Sequence, residues 1–264
     1  MKLTVLTENT ASKDCLGCEH GLSLYIETNG HKILFDAGET ELFSENAKLL
    51  DVDLTGVDFA VLSHDHCDHS GGMGRFLDIN KKAPLYVNRN AREGHYNSLG
   101  EYIGIDTSLF DSGRIVFTDD EYQISKNITL FTCNDNKYKH PIDPAGLKMM
   151  VSGELTDEDF RHEQYMLIEE NGKRILISGC SHKGILNIMD WMRPDILIGG
   201  FHFMNMTLDD PENRIRLEEA SKELLSYGCI YYTGHCTGLE QFDYMKSFMG
   251  GRLNYISAGN SFIL

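Results

Sequence analysis

The stretch HDHCDHSGG, residues 64–72, comes one serine after the apolar run FAVL at 59–62. That run reads as a short β-strand, so His64 stands at a strand's carboxyl end. Three histidines and two aspartates crowd into residues 64–69. Gly71 and Gly72 then let the backbone turn tightly before a helix. Neutral imidazole and carboxylate are the donors that a borderline cation such as zinc takes. A spacing of two puts the His64 and His66 rings on one side of an extended segment. Asp68 and His69, past the turn, can address a second ion.

One loop supplies too few donors, and other predicted strands end in more of them. LISGCSHKG brings Cys180 and His182 after the run RILIS, ILIGGFH brings His202, and YYTGHCTG brings His235. In a layered α/β arrangement the loops at one end of the strands converge, and sites are built there.

Around these tips the chain alternates regularly. GLSLYIET and HKILFDAG predict a hairpin across Asn29-Gly30, and EQYMLIEE and KRILISG another across Asn171-Gly172. LTVLT, RIVFT, ITLFT and LNYIS are further strand-like runs. TELFSENAKLL, GILNIMDWM, PENRIRLEEASKELLSYG and GLEQFDYMKSFMGG carry helical spacing. With no linker and no composition break, residues 1–264 read as one domain of two sheets covered by helices. The segment 88–112 is irregular, with Tyr96, Tyr102 and Phe110 among glycines and polar residues. It is either a lid over the site or a surface insertion that only packs.

The 264 residues carry a net charge of −16, which lacks the basic footprint of a nucleic-acid binder. No apolar run reaches the roughly 18 residues of a transmembrane helix, and MKLTVLTENTASKD reads as a first strand rather than a signal peptide. Seven cysteines, an odd number, read as free thiols. Cys15 and Cys18 fall in a loop, and Cys67 is a filler facing away from the ions. These features predict a cytoplasmic protein acting on a small molecule, with neither nucleic acid nor membrane as partner. Oligomeric state leaves no mark on the sequence.

HDHCDH followed by two glycines, the hairpin ending in FDAG, and the later strand-tip histidines resemble the metallo-β-lactamase superfamily. EHGLSLYIE, LISGCSHKGILNI, IGGFH and GHCTG are similar to its 7,8-dihydropterin-6-methyl-4-(β-D-ribofuranosyl)aminobenzene-5′-phosphate synthase-like group. The resemblance implies an α+β fold, a four-layer αββα sandwich, with two divalent metal ions at one edge. Zinc is the first choice, with iron or manganese also compatible. It also implies that Asp36 of FDAG supports the metal loop from behind. The usual bridging aspartate is replaced by Cys180, which either ligates or sits behind the ligands. His182 then serves in place of the usual isolated histidine. The expected sets are His64, His66 and His182 on one ion, and Asp68, His69 and His235 on the other, with Cys180 near or between them.

The resulting expectation is a hydrolase whose two ions activate a water against a small phosphate-containing ester. Asp68 orients that water and accepts its proton. His202 is either a substrate contact or proton donor to the leaving group, or a buried structural histidine. The glycine-bracketed ISGCSHKG loop, with Lys183, offers a cradle for phosphate. His20 stands close enough to the second strand to point at the site. His31, His95, His140 and His162 read as solvated or satisfied core residues, His162 as a surface one. The alternatives are a pterin-joining synthase and a non-catalytic metal or ligand sensor on the same fold.

Overall fold

The computed structural model describes residues 1–264. Its strands, numbered in chain order, form two seven-stranded sheets and a small third one. The first sheet runs β17 (Ser261–Ile263), β1 (Lys2–Thr7), β2 (Ser23–Thr28), β3 (His31–Phe35), β4 (Phe59–Val61), β5 (Leu85–Asn88) and β7 (Ile115–Thr118). The second runs β16 (Leu253–Tyr255), β15 (Ile230–Thr233), β14 (Ile196–Ile198), β13 (Lys173–Ile177), β12 (Tyr165–Glu170), β9 (Ile128–Phe131) and β8 (Glu121–Ser125). The hairpins expected at Asn29-Gly30 and Asn171-Gly172 are β2–β3 and β12–β13. Asn29 and Asn171 both take the left-handed conformation that such tight turns require.

The period-two pattern sorts side chains into layers. Ile33 and Phe35 face the other sheet, as do Ile175 and Ile177, while Leu34 and Leu176 between them face outward. The inter-sheet core is thus apolar, mainly aliphatic with Phe35 and Phe59 among its members. Helices α1 (Leu42–Leu49) and α3 (Met73–Ile79) cover the first sheet's outer face through Phe43, Ala47, Met73 and Phe76. Helices α4 (Ile185–Met192), α5 (Pro211–Ser226) and α6 (Leu239–Met249) cover the second through Ile188, Leu217, Leu224 and Met245. Helix, sheet, sheet, helix is the αββα order expected. No helix is long and apolar enough to cross a membrane.

β13, β14, β15 and β16 run parallel, as do β3, β4, β5 and β7. The tips of β4, β13, β14 and β15 carry the 62–69 turn, Cys180 to His182, His202 and His235. The segment after β4 closes as a one-turn helix α2 (Cys67–Ser70) that feeds α3.

The third sheet was not anticipated. β11 (Glu154–Asp157), β10 (Lys148–Val151) and the two-residue β6 (His95–Tyr96) pair antiparallel. It gives the irregular segment 88–112 a partner strand. Ile105 N–H donates to Asp65 Oδ1 at 2.6 Å, so that segment is also pinned to the histidine-rich turn.

Candidate metal centre

The sequence-predicted donors meet in two buried groups. His64, His66 and His182 form one; Asp68, His69, Cys180 and His235 form the other, with donor atoms within 4.8 Å of one another in each. The His64 and His69 rings lie 4.2 Å apart, so the groups adjoin. His64 Nε2 stands 3.2 Å from His182 Nε2. His69 Nε2 lies 3.2 Å from His235 Nε2 and 3.1 Å from Cys180 Sγ. Asp68 Oδ2 is 3.1 Å from His235 Nε2.

The surrounding hydrogen bonds decide what these nitrogens offer. His69 Nδ1–H donates to Asp36 Oδ2 at 2.7 Å, and His235 Nδ1–H to Asn9 Oδ1 at 2.8 Å. Ser63 gives its hydroxyl proton to Asp36 Oδ2, so its oxygen receives His64 Nδ1–H at 2.8 Å. Each ring therefore turns a bare Nε2 lone pair inward, a tautomer assigned from the network. Lone pairs, a carboxylate and a sulfur facing one another in a buried site repel unless a cation lies between them. Tetrahedral zinc with Zn–N near 2.0–2.1 Å spaces its nitrogens about 3.3 Å apart, close to the spacing here. The donor set fits divalent metal.

Charge tells the same story. Burial works against charge on His66 and His69, yet nearby carboxylates, Glu158 for His66 and Asp68 with Asp36 for His69, raise both above the ordinary imidazole value. Burial also opposes ionisation of Asp68, but His69 and His235 hold its carboxyl well below the usual range. Burial, with Cys236 and the Asp68 carboxylate beside it, pushes the Cys180 thiol far up, a penalty that a bound cation would reverse. The carboxylates thus favour positive charge at His66 and His69, while burial and neighbouring imidazoles hold His64 and His182 well below the ordinary value.

The backbone is bent to build this. Asp36, Ser181, His202 and His235 all have positive φ, a strain that packing sustains mainly at functional sites. Gly179, at φ +65°, sits where a Cβ would meet Ser63 Oγ at 2.5 Å, so only glycine lets the 178–183 turn approach the histidine turn. Buried Glu163 fixes that turn by accepting from the backbone N–H of His182 at 2.6 Å and of Lys183 at 3.1 Å.

Several single residues differ from the sequence reading. His162 is buried, not on the surface, and its Nε2 bonds Glu158 at 2.6 Å. Lys183 is no phosphate ligand: its buried ammonium donates to the carbonyls of Thr132 and Glu163 and to Asn134 Oδ1. Cys67 is half-buried and lines the cavity over the clustered histidines, yet belongs to neither donor group. Cys15 and Cys18 are exposed free thiols. His20 does reach the site, with Nε2 3.4 Å from Asp68 Oδ2 and its ring 4.7 Å from His235. His202 lies 4.3 Å, ring to ring, from His182 and lines the same cavity. Burial, with His66 and His235 nearby, lowers it to about 4, so it is a neutral ring at neutral pH.

Sequence reasoning missed Glu158 altogether. Its carboxylate, fully buried, accepts from His66 Nε2 at 3.1 Å and from His162 Nε2 at 2.6 Å, and lies 2.7 Å from His95 Nδ1. Burial disfavours its charge, and the three imidazoles outweigh burial. The bond from His66 Nε2 leaves Nδ1 as that ring's metal-facing nitrogen, the arrangement in which a carboxylate orients a ligating histidine. Glu158→Gln puts an amide against these donors and is expected to weaken zinc binding about ten- to a hundredfold. Competition with a chromophoric chelator measures it, and an unchanged affinity would refute the role.

The chain belongs to the metallo-β-lactamase superfamily, whose family model matches residues 16–192. Among curated proteins it is 29% identical to 7,8-dihydropterin-6-methyl-4-(β-D-ribofuranosyl)-aminobenzene-5′-phosphate synthase of Methanocaldococcus jannaschii, covering 91% of this chain and 88% of that one. It is 28% identical to the uncharacterized protein MJ0448 of the same organism, over 96% and 98% of the two chains. Among solved structures it superposes on Tm1679, described as a metal-dependent hydrolase of the β-lactamase superfamily, with TM-score 0.81 and 24% identity over 100% and 99% of the chains.

Proposed function

We propose that this chain is a hydrolase of a small phosphate-bearing ester that works with two divalent cations, zinc foremost. The observation that carries the reading is the set of inward lone pairs on His64, His69 and His235, joined by Asp68 and Cys180. His64, His66 and His182 would hold one ion, and Asp68, His69, Cys180 and His235 the other. When bound, such a pair lowers the pKa of a water toward neutrality and offsets charge developing on the substrate. Asp68, with 17% of its side chain accessible, is the donor turned toward the cavity and orients the attacking water. His20 and His202, both beside that opening, supply neutral hydrogen-bonding rings to the substrate. Seven free cysteines accord with the reducing cytoplasm.

The test is metal analysis followed by incubation of the reconstituted protein with bis(p-nitrophenyl) phosphate. Release of nitrophenol that scales with bound metal is expected; full metal loading without any release would remove the hydrolase reading. The end-to-end similarity to the synthase supports a second reading, formation of the product its name specifies. That product is itself a 5′-phosphate, so both readings place a phosphate group on the small molecule.

A further inference from the structure

The cavity above the metals' histidines does not end there. Ala145, His182, His202 and Asn205 form a wall shared with a second cavity of about 330 Å³. The second cavity reaches Asn213 and Arg216, on the first two turns of α5, and beyond Arg216 it adjoins a third space lined by Glu219 and Glu223. Arg216 is exposed and is the one Arg or Lys side chain lining either space. It pairs with no carboxylate of the chain, whereas the neighbouring arginine, Arg214, is spent on the Leu208 carbonyl. The one acid on this wall, Asp143, accepts from the Ala145 N–H.

We infer that this arm is the seat of a substrate oxyanion, a phosphate or carboxylate held by Arg216 and Asn205 at a distance from the bond that is cut. The inference rests on the proposed hydrolase reading for what happens at the metal end. A solvated arginine is ordinary on a helix. This one differs in lining a cavity whose other end is the catalytic centre, on a chain of net charge −16 that otherwise repels anions. Guanidinium offers two parallel N–H donors to a pair of oxyanion oxygens, and the Asn205 amide adds a third. The loss of Lys183 to the interior leaves Arg216 as the group able to do this. The substrate is therefore two-ended: an electrophilic group at the histidines and an anionic group on α5.

Binding to the metal-free protein separates this arm from the metals, because the other end then holds no cation and is the same in every Arg216 variant. Phenyl phosphate titrated into chelator-treated protein by calorimetry is expected to bind, and benzyl alcohol is not. Arg216→Ala should weaken phenyl phosphate by about tenfold or more, and Arg216→Lys by less, since lysine keeps the charge without the paired donors. Equal affinity in Arg216→Glu and wild type, or no binding in the wild type, overturns the proposal. Circular dichroism checks each fold. Should the metal-free chain be unfolded, the same series on zinc-loaded protein decides, because phosphate held at the ions is common to all variants. The titration needs no turnover, so it can succeed where the hydrolase assay fails, and fail where that assay succeeds.

Discussion

An Asp68→Ala protein is expected to lose on the order of a thousandfold in kcat/KM against bis(p-nitrophenyl) phosphate, the scale at which a group aimed at the reacting atoms acts. Asp68 Oδ2 lies 3.1 Å from His235 Nε2 and 3.6 Å from His69 Nε2, so a cation held by those rings would also be within its reach. It is also the donor of that group least covered by protein, and a reactant enters from its side. Removing it deletes an anionic ligand and the acceptor that aligns the water. Asp68→Asn should fall between, because it keeps the shape and one acceptor oxygen while losing the charge. Assays in excess zinc separate the two effects. If excess zinc restores most of the rate, Asp68 only holds metal; a loss of less than about tenfold in every condition would remove it from the reaction.

The metal loop was legible because its information is local. An apolar run, a burst of donors and two glycines state strand, tip and turn in eleven consecutive residues, 62–72. His182, His202 and His235 were legible for the same reason, each following its own apolar strand. Glu158 was not, because nothing near it marks it as buried. It follows β11, whose four residues are all exposed, and in TDEDF it reads as another surface acid. What buries it is the third sheet, formed by a two-residue strand at 95–96 and by β10, some fifty positions further along. Strands that short carry no period to detect. His95 and His162 stack at 3.9 Å across that same tertiary junction. Lys183 failed in the opposite sense: the glycine-bracketed loop suggested a phosphate cradle, but its ammonium is satisfied by carbonyls that converge only in the fold.

Stripping the cations is expected to lower Tm by about 10 °C at pH near 8. A ligand at a thousand times its Kd stabilises by about 4 kcal/mol, and a domain of this size shifts by roughly 2–4 °C per kcal/mol. The pH dependence has a definite sign. In the metal-free chain burial holds His64 and His182 well below the ordinary value, His162 at about 3 and His202 at about 4. Between those values and about 6.5 the unfolded chain binds more protons than the folded one, so their contribution is whole above about 6.5 and is lost as pH falls. His66 and His69 are raised instead, and favour the metal-free fold at low pH, an advantage lost as pH rises through their folded values. A cation reverses these two, because a ligating nitrogen has no room for a proton. The metal-loaded protein must therefore destabilise more steeply on acidification than the metal-free one. Thermal scans with zinc and with chelator should show the gap widest near pH 8 and closing through pH 6 to 5. A gap that stays constant down to pH 5 would mean that the cations are held by groups other than these imidazoles.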